Sequence, residues 1–234
     1  MAEIEALLKR FIDDVQRLYG DNLLSAYLYG RALRNNHDPS RHMTHVLLIL
    51  KTLGVKELRE YLTLSERAYR GIEPLFMSPS YIRSSMDAFP IEFLELKEGV
   101  LLFGEDFLKD TDIYLRHLRF EVEQEIKGKL LHLRHGFLAT FKKGRLMDLL
   151  HESFLSYIPT FRASLVVLGK EPPQKVMEIL DALKEGFSID VKPLISVWEL
   201  RHNPKMLKEE LLDIFDRYHS VLETLAERID SLDR

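Results

Sequence analysis

Two short stretches decide how this chain folds: Tyr27-Leu28-Tyr29-Gly30-Arg31-Ala32-Leu33 and His42-Met43-Thr44-His45-Val46-Leu47-Leu48-Ile49-Leu50. Leu23 to Tyr29 reads as a buried strand that stops at Gly30. The segment Arg34-Asn35-Asn36-His37-Asp38-Pro39-Ser40-Arg41 has the composition of a loop. Val46 to Leu50 is apolar on both faces, as expected of a strand inside a sheet covered on both sides.

Upstream, Ile4, Leu7, Leu8, Phe11, Ile12, Val15 and Leu18 recur at helical spacing, so residues 2–19 are expected to form an amphipathic helix ended by Gly20. Downstream, residues 55–70 read as a helix with Leu58, Leu62, Leu64 and Ala68 inward. Pro74 to Met77 reads as a short strand. Ser78-Pro79 is a helix start, with a capping serine and proline at the first helical position. Phe89 to Leu96 alternates like a strand, and Gly104-Glu105-Asp106 closes this half.

Beyond about residue 112 the pattern changes to helical periods. One stripe runs from Leu115 through Leu118, Val122, Ile126, Leu130 and Leu133. A second helix spans about Leu146 to Leu168, with Pro159 expected to kink or break it. Pro172-Pro173 opens a third, Val191 to Trp198 lie on a fourth, and Leu207 to Ile229 on a fifth. Short connections imply an antiparallel bundle. The fold expected is α+β: a mixed sheet with flanking helices over 1–112, then a helical bundle over 113–234. The basic residues Lys127, Lys129, Arg134, Lys142, Lys143 and Arg145 form a candidate patch on the helical half.

Composition limits the function. The net charge of −4 and pI near 6.2 argue against a basic nucleic-acid binder. With no cysteine, disulfides, thiolate metal sites and a cysteine nucleophile are excluded. No apolar run reaches the roughly 20 residues of a membrane span, and the acidic Met1-Ala2-Glu3-Ile4-Glu5 is unlike a secretory signal. A cytoplasmic location is the expectation.

The strand–Gly30–loop–strand arrangement, with Tyr81-Ile82-Arg83-Ser84 and Leu102-Phe103-Gly104-Glu105-Asp106 further on, resembles the nucleotidyltransferase superfamily, which includes DNA polymerase β-like and minimal bacterial members. The resemblance covers about residues 1–110. It implies Gly-Ser after the first strand, Asp-x-Asp on the next, and a third carboxylate on a later strand. Such acids hold two divalent ions that bridge a triphosphate. Here Arg31 stands at the serine position, and Met43 and His45 stand at the two aspartates. Glu92 is expected to be the third acid.

A thioether does not suit Mg²⁺, and one carboxylate cannot neutralise two divalent ions. The reading that follows is a catalytically degenerate nucleotidyltransferase-fold protein that binds a nucleotide or phosphorylated ligand, or a protein partner or second copy of itself. Gly30, Arg31, His45 and Glu92 are the candidate ligand-binding residues, with no resident metal or other cofactor expected. The alternative is an active nucleotidyltransferase acting on a small molecule or protein. It would need Mg²⁺, Glu92 and further acids such as Asp38 or Glu95.

Two other groupings have competing readings. His37, His42 and His45 lie close in sequence but match no ligand spacing, so loop and strand-edge histidines are the simpler account. Arg145 and His151 have the Arg-x5-His spacing of HEPN-type helical ribonucleases, a pattern that helical chains rich in both residues meet by chance.

Overall fold

The computed structural model describes residues 2–33, 43–64, 69–109, 111–202 and 206–232, with the side chains of 2–4, 31 and 201 outside the description. The chain divides into two compact units, Met1–Ile113 and Tyr114–Arg234.

The first unit opens with helix α1, Ala2–Tyr19, followed by strands β1, Leu23–Tyr29, and β2, Thr44–Leu50. Helix α2 is Val55–Tyr61, and β3 is Ile72–Met77. Helices α3, Pro79–Ser85, and α4, Pro90–Lys97, lead to β4, Val100–Gly104. The strands form one sheet in the order β3-β2-β1-β4. β1 runs antiparallel to β2 and β4, while β2 and β3 are parallel.

Alternation along the strands gives each face its own core. Ala26, Val46, Leu48 and Ile72 pack with Leu8, Phe11, Ile12 and Val15 of α1. On the opposite face Tyr27, Leu47, Ile49 and Met77 pack with Ile82 of α3 and Phe93 and Leu96 of α4. The apolar run of β2 is therefore covered twice, as its sequence requires.

Two local expectations are corrected. Residues 89–96 do not form a strand. Pro90 sits in the first turn of α4, whose Ile91, Phe93 and Leu96 are buried. Eight residues are too few to separate a period of two from one of 3.6. α2 is also shorter than expected and turned differently. Leu58 and Leu62 are exposed, Glu57 is buried and accepts a hydrogen bond from the Gly54 N–H at 2.8 Å, and Ala68 lies outside the described residues. The carboxylate reaching back to the first free N–H fixes which side of α2 faces inward.

The second unit consists of α5, Leu115–Thr140, α6, Leu146–Val167, α7, Val176–Phe187, α8, Lys192–Glu199, and α9, Lys208–Asp230. Tyr157 donates to the Ile126 carbonyl, while Lys129 donates to the Ser156 carbonyl and to Thr160 Oγ1. Leu149 fills the space beside Gly136. Rising numbers on α5 meet falling numbers on α6, so the two are antiparallel. Arg119 on the Ile229 carbonyl and Phe137 against Phe215 set α9 antiparallel to α5 in the same way. α6 runs through Pro159 without a break. Trp198 is a core residue against Phe154.

Candidate functional site

The ends of three strands meet where β1 leaves the sheet and β2 and β3 enter it. Gly30 follows β1 with φ of +71°, a conformation that side chains with a Cβ resist. The space itself is not tight, since a Cβ there would lie 3.8 Å from the His45 ring. The left-handed backbone, not crowding, is what calls for glycine.

The ladder then brings one row of side chains together. Tyr29 is opposite His45 across the antiparallel pair, and His45 is opposite Glu73 across the parallel pair. All three share the sheet face of Tyr27, Leu47 and Ile49, by period-two alternation. His45 Nδ1 lies 3.5 Å from Glu73 Oε2, and the Tyr29 and His45 ring centroids are 5.7 Å apart. Met43, two residues before His45 and 41% exposed, lies just ahead of β2. Thr44 between them is buried, and its N–H donates to the Gly71 carbonyl at 2.8 Å.

Burial and the nearby Glu73 charge push the Tyr29 hydroxyl up to about 12. It is a neutral hydrogen-bond donor across the physiological range and no source of phenolate. Glu73 stands where it would orient the His45 imidazole.

Glu92 is not part of this row. It is exposed, in the first turn of α4, where its carboxylate complements the helix N-terminus. The later strand that neighbours β2 is β3, and the acid it carries is Glu73. The sequence reading missed Glu73 by starting this strand at Pro74, two residues late. Proline is tolerated there because β3 is an edge strand.

Gly30 and His45 come together as expected. The Arg31 side chain, and all of His37, Asp38 and His42, lie outside the described residues. Glu95 belongs to α4, with Glu92.

The described residues do not fit a pair of Mg²⁺ ions. Two hard dications require several carboxylate oxygens, and this row offers Glu73 beside an imidazole and a thioether.

The other groupings from the sequence do not converge. Arg145 is paired with Asp148 at the start of α6, and six helical positions place His151 about a third of a turn away from it. Within the basic patch, Lys127 pairs with Glu123 and Asp230, Lys129 with Glu125, and Arg134 with Glu223. Among the described residues, no helix is long and apolar enough to cross a membrane.

No protein family and no curated protein matches the sequence. Among solved structures, the chain is similar to a spectinomycin adenyltransferase from Enterococcus faecialis, determined with ATP and spectinomycin. Identity is 11% and the TM-score 0.48, over 94% of this chain and 99% of that one. It is also similar to a nucleotidyltransferase-like protein from Exiguobacterium sibiricum, at 12% identity and a TM-score of 0.38, over 93% of this chain and 72% of that one. By its own elements the chain is α+β, with a mixed four-stranded sheet in the order β3-β2-β1-β4, flanking helices and a helical region that follows.

Proposed function

We propose that this protein binds a nucleotide or another phosphate-bearing ligand at the Tyr29–His45–Glu73 strand ends without two-metal nucleotidyl transfer. One observation carries the reading. By the resemblance, Met43, just ahead of β2, and His45, on β2, stand where metal acids are expected, leaving Glu73 as the carboxylate beside them. Charge decides the chemistry: two dications bring about four positive charges, and a single carboxylate leaves most of that uncompensated. A phosphate needs no metal if donors meet it directly. The Gly30 turn offers backbone N–H groups, Tyr29 a neutral hydroxyl and His45 an imidazole. Arg31 follows the glycine, and arginine suits phosphate by its forked geometry.

The reading is tested by thermal-shift titration with ATP, GTP, CTP and UTP, with and without Mg²⁺, beside an assay for transfer from labelled triphosphate. Stabilisation that does not depend on Mg²⁺, with no labelled product, is the expected result. Mg²⁺-dependent product that disappears in Glu73→Gln would overturn it in favour of an active nucleotidyltransferase.

A further inference from the structure

The turn between α4 and β4 passes close to the end of β1. Gly99 lies in that turn, half-buried, and its N–H donates to the Leu96 carbonyl at 2.9 Å. A Cβ built on Gly99 would lie 2.7 Å from the Leu96 carbonyl oxygen, 3.1 Å from the Leu28 carbonyl oxygen and 3.5 Å from the Tyr29 Cβ. The first distance is too short for any side chain, and the second would have to open by a few tenths of an ångström. Both obstacles are backbone, so no rotamer change relieves them. Glycine is what lets two backbones approach this closely.

The ladder shows what that approach touches. Val100, the next residue, pairs with Leu28 at the last rung between β4 and β1. Tyr29 lies one residue beyond that rung and pairs on its other side with His45. The Leu28 carbonyl belongs to the rigid peptide that carries the Tyr29 N–H, so displacing it turns the Tyr29 backbone. The turn itself has little room to retreat. It leaves α4, whose Phe93 and Leu96 are each 1% exposed in the core beneath Tyr27, Leu47 and Ile49. The half-buried end of β1 yields more easily.

We infer that Gly99 is a positioning residue of the strand-end site. Its missing side chain lets the α4–β4 turn rest on the root of Tyr29, and this sets where the Tyr29 ring and hydroxyl stand relative to His45. The effect on ligand binding rests on the phosphate-ligand reading above, whereas the placement of Tyr29 beside His45 is a property of the free protein.

Gly99→Ala separates the two. In the ligand-free protein at one fixed pH, the His45 ring-proton signals are assigned by their absence in His45→Gln. They should shift in Gly99→Ala, because the Tyr29 ring 5.7 Å from the His45 ring has moved. Gly20→Ala, at a glycine of positive φ with open space around it, should leave them in place. In isothermal titration with ATP and no metal, Gly99→Ala should weaken binding at least about threefold. Made on Tyr29→Phe, the same change should cost almost nothing further, since the hydroxyl it misplaces is gone. His45 signals that stay in place in folded Gly99→Ala overturn the positioning role. So does an equal loss of affinity with and without the Tyr29 hydroxyl. A parent protein that binds no ATP removes the ligand reading, and the His45 signals then decide the positioning role alone. If Gly99→Ala does not fold, one glycine inserted between Glu98 and Gly99 slackens the turn without a clash. The His45 signals should then move, and unmoved signals refute the role.

Discussion

Glu73 stands beside His45 on parallel strands, its carboxylate 3.5 Å from the imidazole Nδ1, in the row that begins at Tyr29. Both side chains are substantially exposed, at 35% for His45 and 59% for Glu73. A pair this open adds little to stability. What it sets is the charge met by any anion that approaches Gly30, and this makes it testable by ligand binding rather than by melting.

Glu73→Gln keeps the side-chain shape and removes that charge. Metal-free triphosphate binding should tighten about two- to threefold, the effect of one charge at roughly 6 Å in near-aqueous surroundings. Isothermal titration of both proteins in the same buffer measures it. Weaker binding in the variant would mean that Glu73 contacts the ligand directly or through a cation.

Met43→Asp with His45→Asp would place acids at both positions, that at 45 on the face that carries Glu73. Three carboxylates then converge on one strand end, as a Mg²⁺ or Mn²⁺ site requires. The double variant should gain a Mn²⁺-dependent thermal shift with triphosphate that the parent lacks. Without that gain, the register between β2 and β3 would not be the one described.

Tyr19, Tyr27 and Tyr29 are all pushed up to about 12, chiefly by burial. Unfolded tyrosine releases its proton near 10.0. Between those values the unfolded chain is deprotonated while the fold holds its protons, so raising the pH favours unfolding. The stability these groups contribute is complete below about pH 10 and lost as pH rises towards about 12. Urea unfolding midpoints taken at intervals over this range should fall steeply. Tyr27→Phe should flatten the fall, at a cost of about 1–2 kcal/mol at neutral pH, because the Phe107 N–H that donates to the Tyr27 hydroxyl at 2.7 Å loses its acceptor.

Gly104 ends β4 with φ of +84°, and a Cβ there would lie 1.9 Å from the Leu24 carbonyl oxygen. Gly104→Ala cannot be absorbed by a side-chain shift, because the obstacle is backbone. Destabilisation of about 3 kcal/mol or more is expected from strain and the displaced β1–β4 edge. Chemical denaturation measures it, with Gly20→Ala as a milder control: Gly20 shares the positive φ but has open space around it.

Local patterns were legible where a single period ran long enough. α1 and α5 show their buried stripes directly, and Ser78 caps α3 as its pairing with Pro79 implied, accepting from the Tyr81 N–H at 3.2 Å. β1 and β2 were visible as apolar runs between turn residues. α4 was not, because Pro90 to Lys97 is too short for its period to show. Glu92 suits the role of a third acid by residue type, and no local pattern argues against it.

By itself, the sequence determined the α+β character and the change to helices after about residue 112. These follow from residue identity and from periods of two and 3.6, which need only neighbours along the chain. Only the tertiary structure decided that β3 lies against β2 and that Glu73 rather than Glu92 lies beside His45. Those are pairings between segments far apart in sequence. They are settled by which faces bury one another, and no local pattern encodes that choice.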